Sequence, residues 1–134
     1  MTNTEPKAPD TETDELQRLG EQLLRTAKSS RARAAVQALV EERTILAVPA
    51  VRRALVTDTL DGAQAHFEAL SGRQYGLGLD EGQRAFLHLV LPMVGIGITT
   101  LASVQDLDDH RLPIMLRAIL RLTGNNDIAV GRHL

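Results

Sequence analysis

Apolar residues return every three or four positions along most of this chain, the spacing that lines one face of an α-helix. Leu16, Leu19, Leu23 and Ala27 form one such face and predict a helix from about Asp14 to Lys28. Ala32, Ala35, Val36, Leu39 and Val40 form a second, from Arg31 to Arg43, and Ser29-Ser30 ahead of it offers an N-cap. Pro49 suits the first turn of a third helix, Pro49 to Thr57. Leu112, Met115, Leu116, Ile119 and Leu120 define the last helix, Asp109 to Leu122, which Gly124 ends. No segment alternates apolar and polar residues well enough to predict a strand.

Three later segments open on a Leu-Asp step: Leu60-Asp61, Leu79-Asp80 and Leu107-Asp108. In each, Asp is read as the N-cap and Leu as the residue before it. Asp61 with Gln64, and Asp80 with Gln83, have the spacing of a capping box. A fourth helix is therefore expected over Gly62–Leu70, closed by Gly72, and a fifth from Glu81. Gly72 to Gly78 holds three glycines and reads as a loop.

From Ala85 to Gln105 the chain runs for 21 residues without a formal charge. Such a run either crosses a bilayer, which takes about 20 apolar residues, or fills the centre of a domain. Pro92 interrupts a continuous helix, and Gly95 and Gly97 weaken it further. His88 would be costly in hydrocarbon. Asp80, Glu81, Asp106, Asp108 and Asp109 crowd the two ends. The run is therefore read as two buried helices, Glu81–Leu91 and Ile98–Gln105, joined by Pro92–Gly97. Leu87, Leu91, Ile98 and Leu101 are expected among the most buried residues.

Composition supports the helical reading. Hydrophobic residues make up 43% of the chain, enough for a core, and they are mostly Ala, Leu and Val. Aromatics, which favour strands, are only 2%. The predicted fold is all-α: six or seven short helices bundled around a central apolar helical hairpin, residues 81–105. It forms one domain, 14–134, behind an acidic tail, 1–13, too polar to order itself. The absence of cysteine rules out disulfides and thiolate chemistry. No apolar leader is visible, so the cytoplasm is the expected compartment.

Net charge is −2, but residues 15–53 hold eight Arg or Lys against four Glu. A basic block of that kind can face phosphates. The order of Val40–Leu55 weakly resembles a helix-turn-helix with its second helix at Pro49. A nucleic-acid role would fall to Arg31, Arg33, Arg52 and Arg53. The Thr44–Val48 connection, however, is apolar and lacks Gly, which fits packing better than a DNA-reading turn.

Asp106-Leu-Asp-Asp-His110 is the densest set of oxygen and nitrogen ligands. It lacks the Gly and downstream Glu of a calcium loop, and acids at a helix start are expected from capping alone. His88, between Leu87 and Leu89, is read as a core histidine. Gly76-Leu-Gly78 and Gly95-Ile-Gly97 lack the third Gly and preceding strand of a dinucleotide site. No catalytic set, cofactor or metal is expected. The reading that remains is a non-enzymatic protein-interaction or self-association module, with Met115, Ile119 and Leu122 of the last helix as its contact face. Its partner would be another protein or a second copy; nucleic acid and a membrane, through a span at 85–105, are the alternatives.

Overall fold

A computed structural model describes residues 8–131 of the chain, with the side chains of 11–131. It is mostly helical, as the periodicity predicts, and adds one two-stranded sheet. The helices are α1 (Ala8–Thr26), α2 (Ser30–Glu42), α3 (Pro49–Leu55), α4 (Glu81–Val90) and α5 (Arg111–Thr123). The strands are β1 (Val56–Thr59) and β2 (Gly62–Ala65). Short 3-10 turns cover Phe67–Leu70, Leu91–Val94 and Leu101–Asp106.

The second helix, α2, is the element around which the others gather. It packs on α1, α4, α5 and the Leu91–Val94 turn. Its buried face is Ala34, Ala35, Val36, Ala38 and Leu39, so small side chains let neighbours come close. Ser29 caps it as expected: its Oγ accepts from the Ala32 N–H at 3.0 Å. α1 crosses α2 where Gly20 faces Val40; a Cβ on Gly20 would lie 3.0 Å from Val40 Cγ2. α1 begins at Ala8, six residues before the predicted start at Asp14, so residues 8–13 of the expected tail are helical; residues 1–7 lie outside the described range.

The sheet replaces the helix expected over Gly62–Leu70. Val56 pairs with Ala65 and Thr59 with Gly62, which leaves Leu60-Asp61 as a two-residue turn. Gly62 has φ 116°, a left-handed value that glycine takes without strain. Asp61 is thus a hairpin-turn residue rather than a helix cap. The outer edge of β2 is closed by α1: Gln22 Oε1 accepts from the Ala63 N–H at 2.8 Å, and Thr26 Oγ1 donates to the Ala63 carbonyl at 2.8 Å. Two side chains here do what a third strand would otherwise do.

The uncharged run is cut in two. Its first half meets the prediction: α4 opens on the Asp80–Gln83 capping box, and Phe86, Leu87, Val90 and Leu91 are all at or below 1% exposure. The helix passes through Pro92 into a 3-10 turn and reverses at Gly95, φ 85°. There the Ile96 N–H donates to the Leu91 carbonyl and the Gly95 N–H to that of Pro92, both at 3.0 Å, the bonding of a Schellman stop. The second half departs from it. Ile98 is 97% exposed and Leu101 83%, and the Leu101–Asp106 turn buries no residue. The central apolar hairpin is therefore one buried helix followed by a surface strip. Among the described residues no helix is long and apolar enough to cross a membrane.

A polar hub ties three elements together. Glu42, at the end of α2, is fully buried, and its Oε2 accepts from Arg111 Nε at the start of α5, 2.8 Å away. Glu42 Oε1 accepts from the Ile45 N–H at 2.8 Å, and the Thr44 hydroxyl donates to Oε2. That hydroxyl accepts in turn from Gln83 Nε2 of the α4 capping box, at 3.1 Å. Arg111 Nη1 reaches Asp108 Oδ2 at 2.6 Å. Gly82 makes room for this guanidinium; a Cβ there would lie 2.7 Å from Nη1. Between Glu42 and Thr44 the chain makes a tight γ-like turn: Arg43 has φ 75°, ψ −42°, and the Thr44 N–H donates to the Glu42 carbonyl at 2.9 Å. Such a turn is strained for any residue but glycine.

Two stability predictions follow from the hub. Arg111→Met leaves the Glu42 carboxylate buried and uncompensated and is expected to cost about 3–5 kcal/mol in urea unfolding. A loss below ~1 kcal/mol would show that the pair does not hold α5 in place. Arg43→Gly removes the left-handed strain and is expected to stabilise by about 0.5–1 kcal/mol in the same measurement.

Candidate functional site

The exposed half of the uncharged run borders a groove of about 370 Å³. Leu91 and Pro92 from the Leu91–Val94 turn line it, as do Ile96 and Ile98 from the segment beyond Gly95. Gln74 and His88 line another part, and Thr99, Thr100 and Ser103 complete it. Arg84 and His88 are one helical turn apart on α4, and Tyr75 from the preceding loop meets both. Its ring lies 4.9 Å from the Arg84 guanidinium and 6.4 Å, edge-on, from the His88 ring. The Thr100 and Ser103 hydroxyls lie 3.3 Å apart and bond to one another. Apart from the imidazole, no lining residue is ionisable.

The local sequence explains this arrangement. Gly95 and Gly97 both have positive φ (85° and 75°), so the chain turns away from α4 and cannot re-enter a helix at once. Thr99-Thr100 then leads into a short 3-10 turn with no buried face. Ile98 and Leu101 therefore stand in solvent beside the groove. Tyr75, at 78% exposure, meets His88, one of the residues that line the groove. Ile98 and Leu101 are thus two large aliphatic side chains, three residues apart, left in water. Chemically the groove offers apolar contact and hydroxyl hydrogen bonds.

The residues singled out from the sequence fall elsewhere. Met115 is 1% exposed and belongs to the core, so it cannot meet a partner. Ile119 lies on the surface at 36%, and Leu122 is half-buried against the core. The physical reason is the rotation of α5. Arg111 must face Glu42, which makes Arg111, Ile114, Met115 and Ala118 the buried stripe and turns Leu116 and Ile119 outward.

The four arginines of the nucleic-acid alternative do not act as one set. Arg31 Nε donates to the Met93 carbonyl at 2.7 Å, and Arg52 Nη1 to the Leu46 carbonyl at 2.8 Å. Both guanidiniums bind backbone of this chain; Arg31, Arg33 and Arg53 are exposed and Arg52 is half-buried. His88 is exposed rather than buried, because it lies on the side of α4 opposite Phe86, Leu87 and Val90. In the Asp106–His110 stretch, Asp108 acts as a cap: its Oδ1 accepts from the Arg111 N–H at 2.8 Å. Among the described residues no group of three His, Cys, Asp or Glu is placed to hold a metal ion.

A second charged cluster joins α2 to α5. Glu41 accepts from Arg121 Nη2 at 2.6 Å, Arg117 Nε at 3.3 Å and Gln37 Nε2 at 3.1 Å. Burial alone would raise the Glu41 carboxyl, but the bonds from Gln37, Arg121 and Arg117 together outweigh it and hold the group below its ordinary value. Asp108 is likewise held low, by the Arg111 N–H and then by the Arg111 charge.

Compared with models of known families, with curated proteins and with solved structures, the chain matches none. The functional reading therefore rests on the surface just described.

The depressed Glu41 carboxyl gives a pH prediction with a definite sign. Its stabilising effect is complete above the unfolded carboxylate value of ~4.3 and is lost as pH falls through the lower folded value. Glu41→Gln should therefore lower stability at pH 7 and leave a shallower loss between about pH 5 and pH 3 than the parent chain shows. Parallel stability curves for the two proteins across that range would refute the coupling.

Proposed function

We propose that this chain is a non-enzymatic protein-interaction module whose contact surface is the uncharged segment after Gly95, with Ile98 and Leu101 at its centre. The observation that carries the reading is their exposure, 97% and 83%, within a stretch that bears no charge from Ala85 to Gln105. Two large aliphatic side chains in water carry a hydrophobic penalty of about 1.5–3 kcal/mol each relative to burial. A partner that covers them recovers that free energy. The adjoining groove supplies a concave surface for the partner's own apolar side chains, with hydroxyls at Thr99, Thr100 and Ser103 to orient it. The contact face proposed from the sequence moves accordingly from α5 to the α4–α5 connection.

A photo-crosslinking residue placed at Leu101 in the protein as expressed in cells tests the reading. Leu60, at the hairpin tip, is just as exposed (107%) and serves as the control position. Discrete protein adducts are expected from 101 that disappear in an Ile98→Asp background. Equal yields from 101 and 60 would mean that the segment is simply accessible. Ile98→Asp itself should shift folding stability by no more than ~0.5 kcal/mol, because the side chain buries nothing.

A further inference from the structure

We infer, independently of the surface at Ile98, that the first half of α1 is a strap that swings open on Gly20, and that the seat beneath it stays formed when it leaves. The two halves of the helix are held very differently. In the second half Gly20, Leu23 and Thr26 are buried. Gly20 lies against Val40, and Gln22 and Thr26 bond to Ala63 of β2. From Thr11 to Leu19, by contrast, no residue is buried. Residues 11–15 are all exposed, and Leu16 and Leu19 are half-buried.

Leu16 sits between two hollows. One, of about 310 Å³, reaches to Val40, Arg43 and Leu46; the other, of about 340 Å³, reaches to Ala47, Pro49 and Arg52. Packed interiors leave few voids larger than a water molecule, so this half of α1 rests on its seat rather than interlocking with it. Glu12 and Glu15 line the hollow that Arg52 lines, and opposite charges draw the strap back without fixing it, since exposed pairs are weak. A segment with few buried apolar contacts belongs to the part of a fold that opens locally. Gly20 marks where that part ends, because glycine is the weakest helix former after proline.

The seat has supports of its own. Its floor is the connection from Arg43 to Val48. The Ile45 N–H donates to the Glu42 carboxylate and the Arg52 guanidinium to the Leu46 carbonyl, both at 2.8 Å. The Val48 N–H donates to the Ile45 carbonyl at 3.1 Å. None of these bonds involves α1, so the floor outlasts the departure of the strap. Opening uncovers Leu46, which shares a hollow with Leu16 and is 3% exposed in the closed chain.

Amide hydrogen exchange of the unmodified full chain, followed residue by residue, tests the strap. Relative to their intrinsic rates, amides 13–19 should exchange at least ~100-fold faster than amides 23–26, with a step at Gly20. The amides of Ile45 and Val48 should stay as protected as those of 23–26. Because the chain has no cysteine, thiol labelling gives a second readout. Leu46→Cys reports the seat, and Leu55→Cys, at a position with 0% exposure, reports unfolding of the whole. The first should be labelled at least ~30-fold faster than the second. Adding Leu16→Asp should speed the first further and leave the second unchanged. Equal protection along α1 would overturn the inference, since the helix would then open only as a unit. A smooth gradient from residue 12 to residue 26 would overturn it too, because that is ordinary fraying of a helix end. If Ile45 and Val48 exchange as fast as 13–19, the seat unravels with the strap and the inference also falls.

Discussion

The buried ion pair between Glu42 and Arg111 is the constraint on which the rest of the structure depends. A carboxylate taken fully out of water costs several kcal/mol, and only well-placed partners offset that cost. At about 4 Å and a moderate effective dielectric, a unit charge returns roughly 4 kcal/mol, so a single partner is barely sufficient. Glu42 accordingly has three: the Arg111 guanidinium, the Thr44 hydroxyl and the Ile45 N–H. Gathering them requires the end of α2, the turn that follows and the start of α5 to meet at one point. Gln83 brings in the start of α4 through Thr44. The strained backbone at Arg43 is tolerated because it points Glu42 and Thr44 at the same centre. The pair also fixes the rotation of α5, and with it which apolar residues of that helix face inward.

The sequence revealed local chemistry far better than long-range partners. Ser29 before α2, Pro49 opening α3, the Asp80–Gln83 box and Gly124 after α5 all lie within a few residues of the groups they serve, and all are found where the pattern puts them. Asp61-Gly62 was equally local but ambiguous. Asp can cap a helix or enter a hairpin turn, and the following Gly favours the hairpin. Reading it as a cap hid the sheet. The partners of Glu42 and Arg111 are 69 residues apart, and no periodicity reports such a pairing. For this reason the apolar pattern of α5 does not disclose that Arg111 heads its buried stripe.

The uncharged run carries a different lesson. Absence of charge coincides with burial at Leu87 and Leu91, both at or below 1% exposure. Ile98 and Leu101 are as apolar as those residues and have the opposite fate. What separates the two halves is backbone conformation: a Schellman stop at Gly95, then a second left-handed glycine at 97. Apolar periodicity needs a regular element to act on, and between Gly95 and the Leu101–Asp106 turn there is none. The signal for an exposed site was thus the lack of any helical or alternating order within an apolar stretch.

Gly95 also divides the chain's folding history. In the unfolded chain, Ala85–Gln105 is a single sticky window of the kind that aggregation and chaperone binding act upon. Folding withdraws the part before Gly95 and leaves Ile98 and Leu101, in the part after it, on display. The native protein therefore keeps, for its whole lifetime, a short segment with the chemical character of an unfolded one. The two side chains left out, Ile98 and Leu101, are presented to water as openly in the finished fold as in the nascent chain.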